Sequence, residues 1–87
     1  MYFVYVLQSV QNPKQFYFGQ TNDLKNRLSQ HNEGRNASTK AYRPWKLVYF
    51  EGYSSRSVAM QREKQLKHYG QARTALKKHA VTQHLWY

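Results

Sequence analysis

The chain has 87 residues, with 14 Lys and Arg against four Asp and Glu, a formal net charge of +10 and no cysteine. That length allows one domain with one modest core, and the missing cysteines exclude a disulfide framework and a thiolate metal site. The charge selects polyanions as partners, nucleic acid before an acidic membrane, and no amphipathic helix with a Trp/Leu face accompanies it to favour lipid.

Burial has to come from the eight Tyr, four Phe and two Trp, with scattered Leu and Val. Residues 2–8, YFVYVLQ, are apolar at both alternating sets of positions, which predicts a central strand covered on both faces. The opening MYFVYVLQSV is too short to span a membrane and has no basic n-region, so it reads as a strand rather than a signal, and the cytoplasm is the expected location. Ser9 to Gln15, with Asn12-Pro13, predicts a turn, and residues 15–20 the return strand of a hairpin. Gly19 ends that strand where a side chain would obstruct a tight bend or a close ligand.

Thr21 and Asn22 are good N-caps and predict a helix over residues 22–32. Leu24 and Leu28 form its buried stripe, and Asp23, Arg27 and His31, four apart, share the neighbouring face. Glu33-Gly34 closes this helix, Arg35 to Pro44 is a basic polar loop, and residues 45–53, WKLVYFEGY, make the third strand. Ser54 or Ser55 caps a helix to about residue 68, with Ala59, Arg62 and Leu66 on one side. Gly70 breaks it, residues 71–79 predict a last short helix, and VTQHLWY is a tail that packs on the body or frays. The order β-β-α-loop-β-α-α is that of an α+β domain, a small three-stranded antiparallel sheet flanked by helices, spanning residues 1–87 as a single unit.

Several side chains combine chemistry with suggestive spacing, and each also has a purely structural reading. Tyr5 and Tyr17 lie on paired strands, where their hydroxyls can meet on one face or their rings can simply pack. Arg27 can clamp a phosphate and His31 can move a proton; equally, Asp23 can pair with Arg27 and His31 can be a solvated helix end. Glu63, alone in QREKQLK, either pairs with Lys67 at i+4 or faces the sheet and supplies one oxygen to a hydrated Mg²⁺. Arg35, Lys40, Arg43 and Lys46, joined by Lys67, form a phosphate-contacting set, with Tyr42 and Trp45 available for stacking. Trp45, following Pro44, reads better as a core anchor. His68, His79 and His84 show no metal-ligand spacing and read as surface residues. A glycine-rich phosphate cradle, a nucleophilic serine with a partner and paired carboxylates are all missing from the sequence.

Taken in order, these residues resemble the GIY-YIG nuclease superfamily, in particular its small stand-alone single-domain bacterial members. Phe3-Val4-Tyr5 stands for GIY and Tyr17-Phe18-Gly19 for YIG. Thr21, Asp23-Leu24-Lys25-Asn26-Arg27-Leu28, His31-Asn32 and Gly34 follow. Arg43-Pro44-Trp45-Lys46-Leu47-Val48-Tyr49 and Ala59-x-x-Arg62-Glu63-x-x-x-Lys67 complete the pattern. Each triplet alone is weak, but the ordered set is specific; it covers residues 2 to about 78 and leaves 79–87 as a tail.

The resemblance implies an endonuclease that hydrolyses phosphodiester bonds in DNA with one Mg²⁺ or Mn²⁺ ion, on branched or damaged structures and in a repair setting. By motif position Tyr5, Tyr17, Arg27, His31 and Glu63 fall on the family's catalytic places, with Glu63 as the metal ligand and Arg27 on a phosphate oxygen. One tyrosine would position or deprotonate the attacking water. A phenol is a poor base near neutral pH, so it needs cations or an acceptor such as His31, and Tyr5 with His31 is the preferred pair. Gln20 stands where some members carry a lysine, and no asparagine follows Asn36 where several members have one after the metal-binding helix. Two rival expectations accompany this one: a catalytically weak or inactive nucleic-acid-binding module, and an accessory subunit that needs a protein partner or a homodimer.

Overall fold

Strand β1 (Tyr2–Ser9) lies between β2 (Phe16–Thr21) and β3 (Trp45–Tyr53), antiparallel to both. Its two apolar faces require that central position. Successive side chains of a strand point to opposite sides, and Val4 and Val6 on one side, Tyr5 and Leu7 on the other, are each no more than 2% exposed. On the Tyr5 face, Leu24 and Leu28 of α1 (Leu24–Asn32) pack with Tyr5, Leu7 and Trp45. On the Val4 face, Ala59 and Leu66 of α2 (Arg56–His68) close a second cluster. The computed structural model describes residues 1–68. The break expected at Gly70, the helix at 71–79, the tail, and the side chains of His68, His79 and His84 lie outside the described residues.

The strands fall within one residue of their expected bounds, but α1 starts later than expected. Thr21 Oγ1 accepts the Asp23 amide at 3.1 Å, and the Asp23 carboxylate accepts the Asn26 amide at 3.1 Å, so Asp23, not Thr21 or Asn22, is the cap. The helix ends at Glu33, and Gly34 takes φ +79°, a left-handed turn that glycine adopts without steric cost. The basic loop beyond it contains a short 3₁₀ turn, Lys40–Tyr42. The end of β1 holds this turn: Ser9 Oγ donates to the Tyr42 carbonyl at 2.7 Å, and the Gln11 amide donates to the Ala41 and Arg43 carbonyls at 2.9 Å each.

Trp45, 4% exposed, is a core anchor and is not available for stacking. Asn32 at the end of α1 grips its backbone on both sides, accepting the Trp45 amide at 2.6 Å and donating to the Trp45 carbonyl at 3.1 Å. The expected apolar side of α2 contains a charged member. Arg62 donates to Glu51 through Nε at 2.8 Å and Nη2 at 3.0 Å, and the hydroxyls of Tyr53, at 2.6 Å, and Tyr49 also donate to this carboxylate. Tyr49, Glu51 and Tyr53 alternate along β3, which puts all three on the face that α2 covers. Burial pushes the Glu51 carboxyl up, but the donors from Arg62, Tyr49 and Tyr53 outweigh it and hold the group below its ordinary range, while Arg62 is pushed up.

Arg62→Met leaves a 7%-exposed carboxylate without its cation and is expected to cost about 3 kcal/mol in urea unfolding at neutral pH. An unchanged midpoint would show that the pair carries no weight. Because the folded pKa of Glu51 lies below the unfolded one, its contribution is complete above the unfolded pKa and is lost as pH falls through the folded value. The gap between Arg62→Met and the parent chain should therefore narrow on acidification.

Candidate active site

Tyr5 faces Gly19 across the β1–β2 ladder. A Cβ at Gly19 would lie 2.5 Å from Tyr5 Oη and 2.6 Å from its Cζ, so the glycine makes room for a phenol that crosses over β2. The obstruction expected at Gly19 is thus a side chain of the same sheet. Tyr17 pairs with Leu7 two residues further along and points to the same face. Its ring centroid is 6.3 Å from that of Tyr5 and 4.7 Å from that of His31. The two tyrosines and His31 therefore form one aromatic cluster under α1.

His31, from the last turn of α1, is 1% exposed and is not a solvated helix end. Its Nε2 lies 3.0 Å from Tyr5 Oη, and its Nδ1 lies 2.9 Å from Thr39 Oγ1. Burial pushes the Tyr5 phenol up to about 12; the neighbouring Tyr17 adds to this, Arg27 opposes it by charge and as a hydrogen-bond donor, and the charge of Glu63 raises it further. Burial and the positive charge of Arg27 push His31 below its ordinary value. Near neutral pH the pair is a protonated phenol against a neutral imidazole.

Arg27, one turn before His31, is exposed, and its Nη1 donates to Gln30 Oε1 at 3.1 Å. Asp23 does not pair with it, because that carboxylate is occupied as the helix cap. The guanidinium stands between two polar clefts. One, of about 300 Å³, is lined by Arg27, Gln30, His31, Arg35 and Asn36. The other, of about 320 Å³, is lined by Tyr2, Gln20, Thr21, Arg27 and Arg56.

Glu63 is partly buried on α2. Its carboxylate is 3.8 Å from Lys67 Nζ, so the surface pair is formed, and its negative charge is the last of the influences on the Tyr5 phenol. Among the described residues no three His, Cys, Asp or Glu side chains gather into a metal cage. A single carboxylate such as Glu63 suits a hydrated hard cation, which takes one or two protein carboxylates and fills its remaining places with water and phosphate. Glu51 is unsuited to that role because Arg62, Tyr49 and Tyr53 occupy it.

The expected phosphate-contacting set divides. Arg35 lines the His31 cleft and pairs with Glu33 at 2.9 Å. Arg43 and the Lys40 stem lie over Gly34, Lys46 is exposed at the start of β3, and Lys67 turns to Glu63; none of these four lines either cleft. Sequence reasoning passed over Thr39, Arg56 and the Glu51–Arg62 pair. Thr39 sits in an aperiodic loop with no sequence signal, whereas the alternation of Tyr49, Glu51 and Tyr53 does place a carboxylate between two phenols. Among the described residues no helix is long and apolar enough to cross a membrane.

His31 is expected to titrate below 6.5 when followed by NMR. Its folded pKa being the lower, the unfolded chain binds the proton more tightly, so its stabilising contribution is complete above about 6.5 and is lost as pH falls below that value. A midpoint at or above that of a free histidine would contradict the burial described here.

The model of the GIY-YIG catalytic domain matches residues 1–77. A UPF0213 protein of Pediococcus pentosaceus is 42% identical over 67 residues, 76% of this chain and 68% of its own length. Another from Bacillus velezensis is 43% identical over 67 residues, 76% of this chain and 66% of its own length, so the chain spans about two thirds of these bacterial relatives. The structure-specific endonuclease subunit SLX1 of Debaryomyces hansenii is 40% identical over 79 residues, which is 83% of this chain but 23% of that protein. The solution NMR structure of the UPF0213 protein BH0048 from Bacillus halodurans matches with a TM-score of 0.57 at 26% identity, covering 94% of this chain and 89% of that one. GIY-YIG nucleases generally depend on a divalent metal. The three-stranded antiparallel sheet with its helices is therefore a GIY-YIG nuclease domain, and the chain belongs to the GIY-YIG family.

Proposed function

We propose that this protein is a divalent-metal-dependent endonuclease that hydrolyses phosphodiester bonds in DNA, acting in the cytoplasm on branched or damaged structures. The observation that carries the reading is the buried contact of Tyr5 Oη with His31 Nε2 at 3.0 Å, beside the exposed Arg27. It supports the reading because a phenol that can donate a proton, an imidazole nitrogen that can accept one and a guanidinium suited to phosphate are neighbours.

In this mechanism Arg27 binds a non-bridging oxygen of the scissile phosphate, and the strand runs across it from the Arg35 cleft to the Arg56 cleft. A phenol with a pKa near 12 is not an anion at neutral pH. Tyr5 therefore takes a proton from the attacking water only as its own proton moves to His31 Nε2. Water oxygen bonds to phosphorus as the bond to the leaving ester oxygen breaks; that oxygen keeps the bonding pair and takes a proton from solvent, to which His31 releases the proton it received. Tyr17, packed against His31, holds the imidazole in place. Glu63 would hold one ion, Mg²⁺ or Mn²⁺, whose chemistry is to neutralise charge on the non-bridging and leaving oxygens. The phosphates away from the scissile bond position the strand without reading its sequence.

The name of the SLX1 relative, a structure-specific endonuclease subunit, supports a preference for DNA shape and a second subunit that selects the substrate. One observation favours the binding-module alternative: Lys67, 3.8 Å from Glu63, competes with a cation for the carboxylate.

With Mg²⁺ or Mn²⁺ the parent chain is expected to nick branched DNA, and Glu63→Ala to lower the rate at least about 10³-fold while salt-sensitive binding survives. A chain that binds DNA but cuts no branched, nicked or single-stranded substrate with either metal would return the binding-module reading. Arg35→Ala and Arg56→Ala are each expected to flatten the slope of log K against log salt by about 0.9. Unchanged slopes would move the strand out of the two clefts.

A further inference from the structure

We infer that Thr39 is a positioning residue that fixes the tautomer of His31, with the proton on Nδ1 and Nε2 left as the acceptor facing Tyr5. A neutral imidazole has one donor and one acceptor nitrogen, and here both face hydroxyls: Tyr5 Oη at 3.0 Å and Thr39 Oγ1 at 2.9 Å. A hydroxyl can donate or accept, so these two distances alone leave the direction open. The far end of the chain of bonds decides it.

At the far end Thr39 Oγ1 donates to the Asn36 carbonyl at 3.3 Å, and a carbonyl only accepts. That carbonyl also receives the amides of Thr39 at 3.1 Å and Lys40 at 3.0 Å, which hold it as a stationary acceptor. With its proton directed there, Thr39 Oγ1 offers a lone pair to His31 Nδ1–H. At the near end Nε2, left without a proton, can only accept. The phenol proton is then left to point at His31 Nε2. The links run in one sense: Tyr5 to Nε2, Nδ1–H to Thr39, Thr39 to Asn36. The opposite tautomer would set a lone pair of Nδ1 against a lone pair of Thr39 Oγ1 unless Thr39 turned its proton away from the Asn36 carbonyl.

Thr39 is itself held rigidly. It is 1% exposed, and its carbonyl accepts the indole N–H of the core residue Trp45 at 2.9 Å. Its hydroxyl is engaged by His31 and by the Asn36 carbonyl, so it acts through His31. The catalytic consequence rests on the nuclease reading above; the tautomer does not. With Nε2 unprotonated, the imidazole can take the Tyr5 proton. With Nε2 protonated, that step has no acceptor.

The test is nitrogen-15 NMR of the labelled full chain, recorded above the titration of His31, alongside cleavage kinetics. The parent chain is expected to show a protonated Nδ1 and a pyridine-like Nε2. Thr39→Ser keeps the hydroxyl and should preserve both the spectrum and the rate. Thr39→Val removes the acceptor and should move the proton toward Nε2, lowering kcat about 10- to 100-fold with KM little changed. A parent chain protonated at Nε2, or a folded Thr39→Val with the parent tautomer, would overturn the assignment. If Thr39→Val fails to fold, the parent and Thr39→Ser spectra decide. If the parent cuts no DNA, the nuclease reading falls, and the spectra still decide the tautomer.

Discussion

The hydrogen bond between Tyr5 and His31 is the constraint around which this small molecule is arranged. A buried hydroxyl and a buried imidazole each need a partner, and leaving either unsatisfied costs about 1–3 kcal/mol. Meeting that demand ties the central strand to the last turn of α1. Through Thr39 and Trp45 it extends to the loop and to the start of β3. Gly19 belongs to the same constraint, because only a residue without a side chain leaves the phenol its place across β2. The cluster to which the proposed chemistry is assigned is also part of the core, and this is how so short a chain holds these groups in register.

The scarcity of acidic residues becomes intelligible in these terms, because each of the four is engaged locally. Asp23 caps α1, Glu33 pairs with Arg35, Glu51 accepts from Arg62 and two tyrosines, and Glu63 faces Lys67 while its field reaches Tyr5. None of them is directed at Arg27 or Arg56, which border the two clefts. Among the described residues only Arg35 of the cleft arginines is paired with a carboxylate, Glu33, so Arg27 and Arg56 keep the charge that the proposed attraction for a phosphate chain needs. The Glu51 cluster holds α2 against β3 at the residue next to Glu63, so the helix that presents the one suitable carboxylate is anchored immediately beside it.

How far these features can be read in the sequence depends on the range of the interactions behind them. The apolar run of residues 2–8 announces a central strand, since no other position covers both of its faces. The start of α1 is legible only to within two residues, because Thr21, Asn22 and Asp23 are all competent caps and the choice turns on which side chain the folded loop aims at an amide. Arg62 reads as part of an apolar side by spacing alone. Its burial against Glu51 depends on a strand eleven residues earlier, which helical periodicity does not register.

Composition, periodicity and the ordered motif thus reach the α+β class, the strand and helix order, the family, and the residue types that gather at the site. They do so because those properties follow from local patterning and from the charge of the whole chain. Folding alone decides that His31 is buried and not solvated and that Arg62 is spent on Glu51. It also recruits Thr39, a residue with no sequence signal at all. Each of these outcomes is a contact between segments far apart along the chain, and such contacts exist only once the sheet has set their distances.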